Sequence, residues 1–507
     1  MRREKGTITV FLSLVCILFL ALICSVVESA RIQGARAQTA NITGIGNFSM
    51  LGEFEKGLLD QYEIFALDGS CGTGSFDMKE MEEHLETYLT CNADPKEGVF
   101  SVWCFDPWNL EMKDCSIQEY ALLTDDGGEP FYQQAVAFMK ENLPSEAVSG
   151  ILRRKEDTEK VKTWQEEYEK KKRESETALS DAEKQKEQRL QELESEAKEE
   201  GGTEIAVPEE MDTSNPLEEI AKLRKRSVLS IVTGDRDISS KSISVWFLPS
   251  HGLSRKGSMK LEKKYSGLTS DLLFREYLLN YFPSYTDQET EGCLNYQSEY
   301  LISGNGSDQK NLKDTVNRLL LVREGMNYLY CVSNGEMSTQ AGTLAFTLTG
   351  FLGLPAVTAA TKHALLLAWA YGESLIDVRI LLNQGKVPLF KDPSSWTLTL
   401  ENLGKLTQIL DQERKGGNEG LVYRDYLRIL LNMGSLKKQK MRAIDLVQEN
   451  LRQKKDTSEF KAENCIVGIK SSADWEIRPV FFSLAGSVMG IRGKELTVTQ
   501  SGSMVYE

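Results

Sequence analysis

The spacing of hydrophobic positions changes several times along this chain, and each change predicts a different element. Ile8 to Val27 is an uncharged, mostly apolar run of 20 residues, flanked by Arg2, Arg3 and Lys5 before it and by Glu28, Arg31 and Arg36 after it. A hydrocarbon layer about 30 Å thick takes roughly 20 helical residues at 1.5 Å each, so this run predicts a membrane span. A cleavable signal peptide is the competing reading, with a core of about 7–15 residues and a small-residue cleavage site. The longer core here favours a retained anchor, and Val27-Glu28-Ser29 makes a weak site. Beyond the span, Ala30, Gly34 and Ala37 form a small-residue stripe along a continuing helix. Such a stripe packs closely, either on the protein's own domain or on a neighbouring subunit. Gly44, Gly46 and Asn47 predict a loosening of this helix, and Leu51 to Tyr62 a second, amphipathic one.

Residues 151–200 hold 29 charged residues, 13 positive and 16 negative, with a thin helical stripe of Val161, Trp164, Tyr168, Leu179, Leu190 and Leu193. The pattern predicts a long charge-laced helix, either a solvated insertion or a partner-binding coiled coil. Gly201-Gly202 ends it, and Leu217 to Arg226 is a short return helix. From Ser227 onward the pattern becomes globular. Val228 to Thr233, Ser242 to Leu248 and Tyr296 to Ile302 read as strands, the last closed by Gly304-Asn305-Gly306. Leu268 to Asn280 reads as a helix, as does the run that starts at Ser307 with Leu312, Val316, Leu319 and Leu320 on one face. Pro355 to Leu382 is apolar enough to suggest a second span, but Lys362, His363, Glu373, Asp377 and Arg379 make it a buried core helix. The stretch from Cys465 to Tyr506 alternates, as in Leu496-Thr497-Val498-Thr499, and predicts an antiparallel sheet.

The expected fold class is therefore α+β. It comprises a cytoplasmic tail and transmembrane anchor (1–29), a stalk helix with a Cys-containing module (30–125), a charged helical insertion (126–226) and an extracytoplasmic α+β domain (227–507). The net charge of −15 argues against nucleic acid as a partner, because such binding rests on basic side chains that neutralise phosphates. With only His84, His251 and His363, a multi-His metal centre is not expected. Neither G-x-x-x-x-G-K-[ST] nor G-x-G-x-x-G occurs after a strand, so no nucleotide cofactor is expected. Cys16 and Cys24 fall in the span. Cys71, Cys91, Cys104 and Cys115 lie outside it without a C-x-x-C, which disfavours a zinc knuckle. They allow two disulfides with three possible connectivities, or free buried thiols.

Glu373 and Asp377 stand four residues apart on the most apolar helix outside the span. Such a pair serves general acid–base chemistry or, more simply, ion pairs with an Arg or Lys from another segment. His251, in the turn Pro249-Ser250-His251-Gly252, lacks any mark of an orienting partner or an oxyanion hole. No catalytic, cofactor or metal residue is assigned on this basis, and the chain is not expected to be an enzyme.

Several blocks carry a resemblance. They are Lys5-Gly6-Thr7-Ile8-Thr9-Val10-Phe11-Leu12, Glu28-Ser29-Ala30-Arg31-Ile32-Gln33-Gly34-Ala35, Tyr62 to Asp68, Ser298 to Ile302, Trp369 to Arg379, and Gly385 to Leu389. With these the chain resembles an uncharacterised bacterial family of single-span envelope proteins, whose N-termini are similar to the TadE/TadG-like proteins of Tad (Flp) pilus systems. The resemblance implies a cell-membrane location, with the N-terminus cytoplasmic and the bulk of the chain outside, and protein partners in a pilus or secretion apparatus. It implies no reaction. Class III pilins carry a Glu five residues after their processed Gly; counted from Gly6, that position is Phe11. The departure points to an anchored accessory protein and leaves Gly6 open as a processing site. An adhesion or sensing module and an anchored hydrolase are the rival expectations.

Overall fold

The computed structural model describes residues 4–93, 107–199, 216–234, 236–287, 291–410, 417, 419–481 and 496–506. The chain forms two compact units, each drawn from more than one stretch. The first comprises Met1–Phe138, Pro249–Tyr265 and Val447–Glu507; the second comprises Met139–Leu248 and Ser266–Leu446.

The first unit holds α1 (Glu4–Leu51), α2 (Lys56–Tyr62), β1 (Leu67–Asp68), α3 (Met78–Ala93), β2 (Leu110–Leu122), β3 (Cys465–Ile477) and β4 (Leu496–Val505), together with the start of α4 (Asp125–Asn142). The sheet is antiparallel and centred on β3. One edge of β3 pairs with β2, from Leu122↔Ile466 to Leu110↔Ile477. The other edge pairs first with β1 at Leu67↔Ile466 and then with β4, from Gly468↔Val505 to Ile477↔Leu496. The two partnered edges explain why β3 is buried almost without a break, whereas β4 alternates along its length. Helices α1 and α3 pack with the sheet through Ile42, Met50, Leu51, Met81, Leu85, Leu89, Ile117, Ile469 and Trp475. Each large apolar side chain buried in this way contributes roughly 1.5–3 kcal/mol. Asp77 caps α3 by accepting from Lys79 N (2.9 Å), and Met81, Leu85 and Leu89 form its buried stripe.

The second unit is helical among its described residues. It contains α5 (Ser145–Glu199), α6 (Pro216–Arg224), α7 (Val228–Thr233), α8 (Leu268–Tyr281), α9 (Gln297–Ser303), α10 (Asp308–Ser333), α11 (Gly335–Thr349), α12 (Pro355–Leu382), α13 (Leu406–Leu410), α14 (Tyr423–Met433) and most of α15 (Leu436–Leu451). Helix α12 is the hub, with α5, α6, α7, α10 and α11 packed against it. Pro355 opens α12 and is pre-set for a first helical turn. All residues from Leu365 to Val378 are buried, as its composition predicts for a core helix. The charge-laced helix α5 is not left in solvent. Val161, Tyr168, Ser175 and Ala182, seven residues apart, are buried. Tyr168 meets Tyr328 of α10 edge-on with ring centroids 5.7 Å apart, close to Gly325. Charges on the outer face form i,i+4 pairs such as Lys171–Glu167 (2.8 Å).

Several local expectations need correction. Val228 to Thr233 is a helix: its buried residues Leu229, Val232 and Thr233 follow a helical spacing that a six-residue apolar run hides. Ser242 to Leu248 contains only a 3-10 turn at Val245–Phe247 and an isolated bridge from Ser242 to Ser307. The block at Tyr296 to Ile302 is α9, buried all round; Gly304 (φ 76°) does terminate it, but as a helix cap donating to Tyr300 O (2.7 Å). Helix α1 is unbroken through Gly44, Gly46 and Asn47. Gly46 serves close packing instead, since a Cβ there would lie 2.6 Å from Leu89. The packed face of α1 runs through Glu28, Arg31, Ala35, Thr39, Ile42, Asn47 and Met50, whereas Ala30 and Ala37 are exposed. Cys71, Cys91 and Cys115 are free thiols, so no disulfide joins them. Cys104 lies outside the described residues.

Candidate functional site

Helix α1 is long and apolar enough to cross a membrane, with a mean hydropathy of 3.1 over its most apolar stretch and none of that stretch buried. The same helix then enters the core of the first unit, and the change happens within one turn, at Glu28 and Arg31. The Arg31 guanidinium donates from Nε (3.1 Å) and Nη2 (2.7 Å) to Glu28 Oε1. It also donates from Nη1 to Trp108 O (2.6 Å) and from Nη2 to Arg478 O (2.6 Å). Glu28 Oε2 accepts from Phe481 N (2.8 Å). One buried pair thus ties the helix to the backbone before β2 and after β3. The Trp108 ring lies against Gly34, where no Cβ would fit. The block Glu28-Ser29-Ala30-Arg31 is this clasp, and its charges are spent on backbone partners.

A second buried set of charges centres on α12. Arg323 of α10, itself 0% exposed, donates to Asp377 Oδ2 through Nε (3.1 Å) and Nη2 (2.8 Å). Its Nη1 donates to Pro388 O (3.0 Å), Leu389 O (2.9 Å) and Tyr426 Oη (3.0 Å). Lys391 Nζ bridges Glu373 Oε1 (2.7 Å) and Asp377 Oδ1 (2.8 Å). Glu373 also accepts from Thr397 N (3.0 Å) and Leu398 N (2.8 Å). Asn327 Nδ2 donates to Ser374 Oγ and Asp377 Oδ2, both at 2.9 Å. The set holds two carboxylates and two cations, so it is neutral. Burial raises both carboxyls. For Asp377 the Arg323 and Lys391 charges overcome it and hold the group below its ordinary value, whereas Glu373 stays above its own despite Lys391. The expectation of an ion pair to another segment holds for both carboxylates: Arg323 and Lys391 supply it. Both acids are 0% exposed, so in this arrangement neither reaches a substrate.

Glu299 of α9 was not singled out by its sequence. It is 0% exposed. Oε1 accepts from Tyr285 N (3.0 Å) and Tyr423 Oη (2.8 Å), and burial pushes the carboxyl up to about 7. A Glu directly before the run Tyr300-Leu301-Ile302 was the available signal. His251 lies exposed in its turn, and Ser254 nearby donates to Glu463 Oε2 (2.8 Å). Among the described residues, Cys71, Glu80 and His84 of the first unit bring together side chains able to hold a metal. They hold a single cysteine, so no closely spaced cysteine pair marks them in the sequence.

These features define a mixed helix-and-sheet protein with, among the described residues, one membrane-competent helix, at its N-terminal end. The chain belongs to a family of unknown function, DUF5702, whose model matches residues 207–477, more than half of its length. The matched stretch contains the Arg323–Asp377–Lys391–Glu373 centre and Glu299 but not α1. No curated protein and no solved structure matches the chain.

Proposed function

We propose that the protein is a single-pass cell-membrane protein, N-terminus cytoplasmic and bulk extracytoplasmic, that serves as a structural or assembly component of a Tad/Flp-like pilus or secretion apparatus. The observation that carries the reading is the continuity of α1, which is bilayer-competent over its first half and core of the sheet unit over its second. A flexible tether would suffice for an enzyme held near a membrane. A helix clasped at Glu28 and Arg31 fixes the sheet unit relative to the span and suits a part that must hold position in an assembly. The basic residues Arg2, Arg3 and Lys5 support the orientation. The N-terminal resemblance to TadE/TadG-like proteins supports the assembly. Pairing of Glu373 and Asp377 with Arg323 and Lys391, and of Glu373 with backbone donors, supports a non-catalytic role.

Protease added to wall-stripped cells is expected to digest the exterior and leave a small membrane fragment; complete protection refutes the orientation. Cross-linking in membranes is expected to capture pilus or secretion components. A deletion strain with normal pili and secretion refutes the assembly role. Intact mass is expected to show Met1 or Arg2 as the first residue, whereas a chain that begins at Thr7 and is recovered in sheared filaments makes it a filament subunit. A second reading, adhesion or sensing, is favoured by Trp246 and Phe247, adjacent and 83% and 84% exposed. It predicts that Trp246→Ser with Phe247→Ser abolishes surface attachment while pili persist.

A further inference from the structure

A turn and one helix face in the first unit bring together a thiol, a carboxylate and an imidazole. Cys71 sits between β1 and α3 in a left-handed conformation, φ 48°. The turn is held by Asp68, whose carboxylate accepts from Ser70 N (3.0 Å), Ser70 Oγ (2.7 Å) and Gly72 N (3.2 Å). Glu80 and His84 are four residues apart on α3 and so share a face. One ligand atom from each of Cys71, Glu80 and His84 lies within 4.8 Å of the other two, and all three residues are half-buried. Glu53 Oε2 is 3.0 Å from His84 Nδ1, and Tyr88 Oη donates to the other oxygen of Glu53. A carboxylate on a ring nitrogen is the usual means of orienting a metal-bound imidazole. The carboxylates of Glu80, Asp68, Glu53 and Asp77 surround the thiol and favour a cation there.

We propose that Cys71, Glu80 and His84 bind one Zn²⁺ ion, with Glu53 orienting His84 and water in the fourth position. Sulfur, nitrogen and oxygen donors together suit Zn²⁺, and a half-exposed site leaves one position open. Donors about 2.0–2.3 Å from Zn²⁺ stand roughly 3.5 Å apart in a tetrahedron, so small side-chain rotations close the set. On binding, the Cys71 S–H bond breaks, a Zn–S bond forms and the proton leaves to solvent, with no change in oxidation state.

The test uses the full chain in detergent micelles, stripped with EDTA and titrated with Co²⁺ and then Zn²⁺. The expected result is one Co²⁺ per chain with a thiolate-to-metal charge-transfer band, displaced by Zn²⁺. Cys71→Ser is expected to abolish the band, and Glu53→Gln to weaken binding about 10–100-fold. Cys91→Ser, an exposed thiol on the same helix, is expected to change neither. A second measurement needs no variant: Zn²⁺ is expected to slow iodoacetamide alkylation of Cys71 in the unaltered chain, read by peptide mass. A band that survives Cys71→Ser, or a Cys71 alkylation rate indifferent to Zn²⁺, overturns the proposal.

Discussion

The sheet unit and the helical unit place their charges differently. In the sheet unit, ion pairs such as Lys470–Glu119 and Lys113–Glu111 lie at partly exposed positions, whereas the clasp at Glu28 and Arg31 is buried. Trp475, Ile466 and Ile469 along β3 supply an apolar interior. In the helical unit the hub helix α12 carries buried carboxylates, and Glu299 lies buried in α9. An apolar interior is indifferent to pH and tolerant in partner choice. A buried ionic interior fixes which side chains meet, but it fails badly when one partner is lost. The units should therefore respond differently to the same perturbations.

The largest effect is expected at Arg323. Arg323→Met leaves Asp377 buried with part of its positive environment gone, and loss of one partner from a buried pair costs about 3–5 kcal/mol. Denaturant unfolding followed by hydrogen exchange should show α10 and α12 losing protection. Adding Asp377→Leu should recover much of the loss; if it does not, the centre is more than a paired charge. In the sheet unit Ile469→Ala should cost roughly 2–5 kcal/mol through the cavity it leaves, with no dependence on pH.

A somewhat smaller effect separates the units by titration. The Glu299 pKa in the folded chain, about 7, lies above its ordinary 4.5. The folded chain thus holds an extra proton between these values. Stability from this group is present in full below pH 4.5 and lost as pH rises through 7, on the order of 3 kcal/mol in all. Glu373, also raised, acts in the same direction. Asp377, held low, loses its contribution only as pH falls below its ordinary value of 3.8. Glu299→Gln should flatten the pH dependence between about 4.5 and 7, as read by thermal unfolding. An unchanged slope would assign it to other groups. The smallest effect is expected at the sheet surface, where Lys470→Ala should change stability by less than about 1 kcal/mol and less still in high salt.

The elements that could be read from the chain are those whose period is long or whose ends are marked. The apolar helix at Ile8 to Val27, the buried helix opened by Pro355, the start of α10 after Ser307 and the alternation of Leu496 to Thr499 all carry such signals. The short runs at Val228 and Tyr296 were misread because a buried helix and a buried strand share the same composition over six or seven residues. Of the small residues that suggest a contact face on α1, Gly34 does pack against Trp108, whereas Ala30 and Ala37 are exposed and the rest of the contact is made by residues such as Glu28, Arg31 and Ala35. The partners of Glu373 and Asp377 were foreseeable only as a type. That they are Arg323 and Lys391 depends on tertiary packing. The convergence of Cys71 on Glu80 and His84 rests on a left-handed turn that sequence spacing does not reveal.

The central place of β3 also bears on how the protein is made. Asn47 on α1 accepts from Ser471 on β3 at a separation of 424 residues. A ribosome adding about 5–20 residues per second needs roughly 20–85 s to cover that distance. For most of that interval the second half of α1 has left the ribosome without the strand it packs on, and β2, once made, lacks β3, the strand it pairs with. The sheet unit therefore cannot close during synthesis from its N-terminal part alone. A nascent chain of this kind calls for something to shield Ile42, Met50 and the edge of β2 while β3 is still being translated. Synonymous codons that slow elongation between residues 140 and 440 should lengthen that exposure and raise aggregation without altering a single amino acid.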